Sequence, residues 1–83
     1  MAEADLRVVT MTYMSAAQIA ADLIRRIRAG EWEPDSPLPP FAELAQRYSC
    51  PESRIKHAMV RVGLSGAAEY RQGKGWYVRG DVK

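Results

Sequence analysis

The sequence has few of the residues that build metal sites, disulfide frameworks or membrane spans. Its 83 residues include one cysteine, Cys50, and one histidine, His57, so one chain can form neither a disulfide pair nor a zinc quartet. No apolar run approaches the length of a membrane span, and the acidic N-terminus is unlike a secretory signal peptide. No carboxylate pair, metal cluster or activated nucleophile has usable spacing. These absences make an enzyme the least favoured class, and they predict a cytoplasmic protein without metal or other cofactors.

Charge is distributed unevenly between the two parts of the chain. Residues 1–53 carry five basic and eight acidic side chains, for a net charge of −3, whereas residues 54–83 carry seven basic and two acidic side chains, for a net charge of +5. Such asymmetry indicates a C-terminal half that faces a polyanion. The charges alone would fit an ordinary solvated surface equally well.

The length predicts one domain of modest stability, because a chain of this size buries only about 60% of its unfolded surface. We expect a flexible tail or short strand over residues 1–12, a folded domain over 13–79, and a C-terminal tail over 80–83. A first helix is predicted over 15–29. Ser15 and Gln18 match a capping box, apolar residues follow at helical spacing, and Gly30 marks the end.

The next segment predicts a loop and then two helices joined by a tight turn. Three prolines forbid helix over residues 30–39, where Trp32 and Leu38 would tie the loop to the core. Apolar spacing predicts a second helix over 40–48 and a third over 51–63, with Pro51 at the start of the third. The short separation forces a helix-turn-helix.

A basic hairpin is predicted after the third helix. Ala67–Arg71 and Trp76–Arg79 have strand character, and Gly73 and Gly75 bracket Lys74 in the turn between them. Three helices followed by such a hairpin predict a mainly α fold with a small β-hairpin, which is a winged helix-turn-helix. That fold suggests a nucleic-acid partner.

The third helix and the wing supply the candidate DNA-binding residues. With its apolar residues turned inward, the third helix exposes a polar and basic face that would enter a major groove. An arginine there can donate two hydrogen bonds to guanine, and Lys74 at the wing tip could reach a minor groove. His57 also fits a solvated residue, and Arg61 fits either interpretation. The candidates are Ser53, Arg54, Lys56, His57, Arg61, Arg71, Gly73, Lys74 and Gly75.

The order of residues over about 13–78 resembles the DNA-binding domain of the GntR family of bacterial transcription regulators. The fragments that carry this resemblance are Tyr13, Ile19-Ala20, Leu23, Ile27, Gly30, Pro34, Leu38-Pro39, Glu43-Leu44-Ala45, Ile55, Lys56, Ala58, Gly66, Arg71-Gln72-Gly73-Lys74-Gly75 and Val78. The resemblance implies a third helix in the major groove and a wing lysine at the minor groove. It places DNA contacts on Ser53, Arg54, Lys56, Gly73 and Lys74.

Two segments depart from the family pattern. Leu38-Pro39-Pro40-Phe41-Ala42 stands where the family usually has Leu-Pro-Ser-Glu-Arg, and Pro51-Glu52 stands where it has Ser-Arg. Two hydroxyls and two arginines are therefore missing, and each missing phosphate contact lowers both affinity and its salt dependence. The family also usually carries a C-terminal effector-binding domain. Because the sequence stops shortly after the wing, we expect no small-molecule effector.

We therefore expect a sequence-specific regulator of transcription, most simply a repressor, that binds double-stranded DNA and contacts no membrane. It could form a weak homodimer or assemble cooperatively on DNA. One alternative is an architectural or recombination-accessory DNA-binding protein of a mobile element. Another is a winged-helix module that binds proteins and has lost DNA binding.

Overall fold

A computed structural model describes residues 14–82. Three helices precede one antiparallel hairpin: α1 (Ala16–Arg28), α2 (Phe41–Tyr48), α3 (Glu52–Ser65), β1 (Ala68–Arg71) and β2 (Gly75–Val78). The predicted winged helix-turn-helix is confirmed. The tail or strand predicted over 1–12 lies outside the described residues.

Helix α1 begins at the capping box that the sequence predicts. The backbone N–H of Gln18 donates to Ser15 Oγ over 3.1 Å, and the backbone N–H of Ser15 donates to Gln18 Oε1 over 2.8 Å. The helix ends at Arg28, and Gly30 follows with a φ of 86°, a left-handed conformation that glycine adopts at little cost. Between these ends, α1 buries Ile19, Ala20, Leu23 and Ile27 in the core, with Leu23 and Ile27 each 1% exposed.

The turn between α2 and α3 is three residues long. Ser49 takes a left-handed φ of 52°, and the Cys50 amide donates to the Ala45 carbonyl over 3.0 Å. Pro51 then precedes the first residue of α3, where its fixed φ suits a helix start and its missing N–H is not needed. A turn of this length joins the two helices directly, as the predicted helix-turn-helix requires.

Helix α3 is the centre of the core. Its predicted inward residues are all buried, and Ile55, Ala58 and Val62 have no exposed surface. Burying a large aliphatic side chain contributes about 1.5–3 kcal/mol. Leu38 is buried and Trp32 is half-buried against the same cluster, which confirms that both residues tie the α1–α2 loop to the core.

Polar contacts join α1 to the C-terminal end of α2. The Tyr48 hydroxyl donates to Asp22 Oδ2 over 2.7 Å, and Arg26 Nε lies 3.1 Å from the same oxygen. The Tyr48 hydrogen bond, aided by Arg25 and Arg26, lowers the pKa of the Asp22 carboxyl. Burial and the Asp22 carboxylate raise the pKa of Tyr48. The phenol therefore stays protonated and keeps donating to Asp22.

A third segment, the α1–α2 loop, extends the two-stranded sheet of the wing. The α1–α2 loop runs along the free edge of β2, where the Leu38 amide donates to the Trp76 carbonyl and the Val78 amide donates to the Ser36 carbonyl, both over 2.9 Å. Pro37 pairs with Tyr77 in an antiparallel bridge. Strand β2 therefore lies between β1 and the loop, so both its edges form backbone hydrogen bonds.

Candidate nucleic-acid interface

The outward face of α3 is mixed in chemistry. Ser53, Lys56, His57 and Arg61 are exposed there, as the sequence predicts, because the apolar residues of the helix turn toward the core. The same face also carries two apolar side chains that the prediction overlooked. Val60 is 52% exposed and Leu64 is 84% exposed.

Arg54 and Lys56 lie on different flanks of this face. Residues that are two positions apart in a helix, such as these, point in directions about 200° apart around its axis. Arg54 is half-buried, and its Nη1 donates to the Met14 carbonyl just before α1 over 3.4 Å. Lys56 lies on the other flank, where it lines a cleft together with Lys74 of the wing. Lys56 and Lys74 thus line the same cleft, whereas Arg54 contacts the residue that precedes α1.

The wing tip is a tight turn in which two glycines adopt positive φ angles. The Lys74 amide donates to the Arg71 carbonyl over 2.9 Å, and Gly73 and Gly75 take φ values of 78° and 110°. Residues other than glycine rarely adopt such angles. A Cβ at either position would meet no atom within 4 Å, so the glycines are not required by crowding. The turn leaves Gln72, Gly73 and Lys74 exposed.

Arg71 has intramolecular partners that sequence reasoning missed. Its guanidinium lies 2.8 Å from Glu69 Oε2 and 2.8 Å from Asp35 Oδ1, and its Cζ lies 4.3 Å from the centroid of the Tyr77 ring. The hydrogen bonds to Glu69 and Asp35 raise its pKa. Glu69 lies two positions away on the same strand and could have been found from the sequence, but Asp35 could not. Arg71 joins the wing to the α1–α2 loop, and its contact with DNA stays a prediction.

The basic side chains without carboxylate partners are concentrated on α3 and the wing. Among residues 14–82, five arginines have a carboxylate oxygen within 4.0 Å: Arg25, Arg26, Arg47, Arg71 and Arg79. The other basic side chains of this part of the chain form no such pair. Four of them, Arg54, Lys56, Arg61 and Lys74, lie on α3 or the wing, and only Arg28 lies elsewhere. Within residues 14–82, positive charge without a carboxylate partner is therefore concentrated on the predicted DNA-binding elements.

The family departures shape a cleft between α2, α3 and the wing, hereafter the α3–wing cleft. Pro40 precedes α2 and Phe41 begins it, and both line the cleft in place of the polar residues that the family pattern would supply. The cleft has a volume of about 640 Å³. Its lining residues are Pro37, Leu38, Pro39, Pro40, Phe41, Leu44, Lys56, Met59, Val60, Tyr70, Lys74, Gly75 and Trp76. Sequence reasoning missed this cleft because it interpreted Pro40 only as a missing phosphate-binding hydroxyl, and Phe41 only as an apolar residue of the second helix.

The start of α3 also departs from an ordinary phosphate-binding helix. Pro51 offers no side chain to cap the helix, and Glu52 places an exposed carboxylate in the first turn. Ser53 follows and is exposed. The contact between Ser53 and phosphate therefore stays a prediction.

The described residues contain neither a metal-site grouping of His, Cys, Asp or Glu nor a helix suited to crossing a bilayer.

Comparison with known proteins identifies relatives of this architecture. The family model described as bacterial regulatory proteins, gntR family, matches residues 15–78. Among solved structures, the GntR protein of Streptococcus agalactiae is similar, with a TM-score of 0.70 and 30% sequence identity. The match covers 77% of this chain and 31% of that protein, so the chain spans about a third of its relative's length. No curated protein sequence matches.

Proposed function

Because the chain belongs to the GntR family of bacterial regulatory proteins, whose helix-turn-helix domain binds double-stranded DNA, we propose that it recognises a specific duplex sequence and represses transcription there. Helix α3 enters the major groove, and Lys74 at the wing tip approaches the adjacent minor groove. The remaining fold holds these two elements side by side.

The observation that carries this proposal is the location, among the residues that the structure describes, of the basic side chains without carboxylate partners. A side chain already paired to a carboxylate must break that pair before it can neutralise a phosphate, whereas Lys56, Arg61 and Lys74 need not. Lys56 and Lys74 also line one cleft, so their charges face a shared region. These three side chains are suited to positioning the duplex through its phosphates.

Sequence readout in this proposal depends on Arg54 and the exposed centre of α3. Within residues 14–82, the Arg54 side chain forms a single long hydrogen bond, of 3.4 Å, to the Met14 carbonyl. Exchanging that contact for a bidentate pair with guanine would provide about 1–3 kcal/mol of discrimination. His57 lies at the exposed centre of the helix, where it can meet a base edge or water. Two such domains on adjacent half-sites would form a weak dimer on DNA.

A second candidate function has an observation in its favour. Val60, Leu64 and Tyr70 are exposed apolar side chains on α3 and β1. Such residues are unusual on a surface devoted to phosphate, and they would suit a module that binds a protein instead of DNA. The two functions differ in their dependence on duplex sequence and on salt.

Selection from a pool of randomised duplexes, followed by anisotropy titration of the winning sequence, separates these functions. We expect one enriched motif, an affinity that falls steeply with salt, and a loss of base preference for Arg54→Ala. Arg28→Ala is the matched control, because Arg28 is an exposed arginine on α1 without a carboxylate partner among residues 14–82. Failure to enrich any motif while all duplexes bind and bend would indicate an architectural protein. Absence of duplex binding at low salt would exclude the DNA-binding proposal.

A further inference from the structure

The α3–wing cleft has the dimensions and lining of a ligand site. Small-molecule sites in proteins are mostly about 300–1,000 Å³ in volume, apolar or aromatic in lining, and supplied with a few polar groups. This cleft measures about 640 Å³, and within the described part of the chain its charged lining residues are Lys56 and Lys74. Neither lysine has a carboxylate partner among residues 14–82.

The walls of the cleft are fixed by packing and backbone hydrogen bonds. Trp76 lies over Gly63 of α3, because a Cβ at Gly63 would stand 3.0 Å from the indole ring. Tyr70 packs against Trp76 edge to face, with ring centroids 5.6 Å apart. The loop that contains Pro37 and Leu38 also lines the cleft, and it is hydrogen-bonded to β2 at Trp76 and Val78. The apolar body of a ligand would therefore meet walls that need little ordering, which favours binding.

We propose that the α3–wing cleft binds an organic anion with an aromatic or compact aliphatic body. The body would contact Val60, Tyr70 and Trp76, and its carboxylate or sulfonate would lie between Lys56 and Lys74. Two unpaired ammonium groups beside an apolar cleft favour a ligand that is both apolar and negatively charged. A neutral ligand would leave the lysine charges without a partner, and a simple phosphate would leave the apolar walls exposed.

Occupation of the cleft would compete with DNA. Lys56 and Lys74 serve the anion here and the phosphates in the proposed function, so the two ligands would exclude each other. This competition rests on the proposed function, whereas binding of the anion does not. The domain would then contain its own effector site, contrary to the expectation from sequence that no small-molecule effector is bound.

The test uses two fluorescent probes with the same aromatic body. One is 8-anilinonaphthalene-1-sulfonate, and the other is N-phenyl-1-naphthylamine, which lacks the sulfonate. We expect the sulfonate to bind the folded full-length chain saturably at one equivalent and at least several-fold more tightly than the amine. Non-saturable binding, or equal or tighter binding of the amine, would overturn the anion site and indicate a purely apolar docking surface.

Two pairs of variants locate the binding within the structure. Val60→Ser should lower the affinity for the sulfonate probe about fourfold for each methylene-sized area of apolar surface that it removes from the cleft. Leu64→Ser, on the same helix but outside the cleft, should leave that affinity unchanged. Lys56→Gln should lower the affinity for the sulfonate probe roughly two- to fivefold, whereas Arg28→Gln should leave it unchanged. All four positions are exposed, so the variants should fold, and circular dichroism checks this. Equal effects within either pair would overturn the assignment to the cleft.

A final titration adds the selected duplex to the sulfonate complex. Release of the probe at stoichiometric duplex supports competition, and simultaneous binding overturns it. If no duplex binds while the sulfonate still binds with the expected variant pattern, the proposed function fails and the anion site stands.

Discussion

Replacing Lys74 with alanine should reduce the salt dependence of duplex binding by a defined step. Among residues 14–82, Lys56, Arg61 and Lys74 are the exposed basic side chains of α3 and the wing that have no carboxylate partner. If each neutralises one phosphate, log K should fall with log salt at a slope of about −0.9 per contact, or about −2.7 in total. The slope for Lys74→Ala should be about −1.8. Between about 50 and 200 mM salt, the native domain would lose about 40-fold in affinity and the variant about 12-fold.

Fluorescence anisotropy of a labelled duplex, titrated at several salt concentrations, measures these slopes. Arg28→Ala removes an equal charge from α1 and should leave the slope near about −2.7, within roughly a third of one contact. If the slope for Lys74→Ala equals that of the unsubstituted protein, the phosphate contact at the wing tip is refuted. An equal reduction for Arg28→Ala would show that net charge, and not position, controls binding.

Three further substitutions test other parts of the molecule. Arg54→Ala should reduce preference for the selected duplex over a base-substituted duplex by about 1–3 kcal/mol in paired titrations, and an unchanged preference would exclude major-groove readout by Arg54. Tyr48→Phe should lower the free energy of unfolding by about 1 kcal/mol near neutral pH in urea titrations. Because the folded pKa of Asp22 is depressed, its stabilising contribution is present above its ordinary pKa and is lost as pH falls through the lowered value, so a difference that persists in acid would contradict this interaction. Gly73→Ala should destabilise the domain by roughly 1–2 kcal/mol because φ at this residue is 78°, and an unchanged thermal midpoint would refute strain at this turn.

The helices could be predicted from the sequence because their determinants are local. Ser15 and Gln18 are three residues apart and form the predicted capping box. The inward residues of α3 recur at helical spacing, and this spacing alone is enough to assign Ile55 and Val62 to the core, where both are buried. Pro51 marks the start of α3 for a similarly local reason, since its ring fixes φ and removes an N–H.

The finer features of the candidate site depend on contacts between distant parts of the chain. Asp35 and Arg71 are 36 positions apart, and no local pattern pairs them. The α3–wing cleft requires Phe41, Val60 and Trp76 to converge from three elements. The proline-rich loop is predicted to be irregular because proline lacks an amide donor, yet Pro37 still pairs with Tyr77 in a bridge. The sequence therefore predicts the elements that carry the candidate residues, but not which of their side chains are already paired.

The pairing of the α1–α2 loop with β2 means that the wing is not an autonomous arm. A segment roughly forty positions earlier holds β2 in place, so a change at Ser36 or Pro37 would shift the wing and Lys74 without altering any wing residue. If the wing contacts DNA as proposed, exchanging that loop between relatives would change the contact while leaving all three helices in place. The position of Lys74 would then be adjustable from residues that themselves touch no nucleic acid.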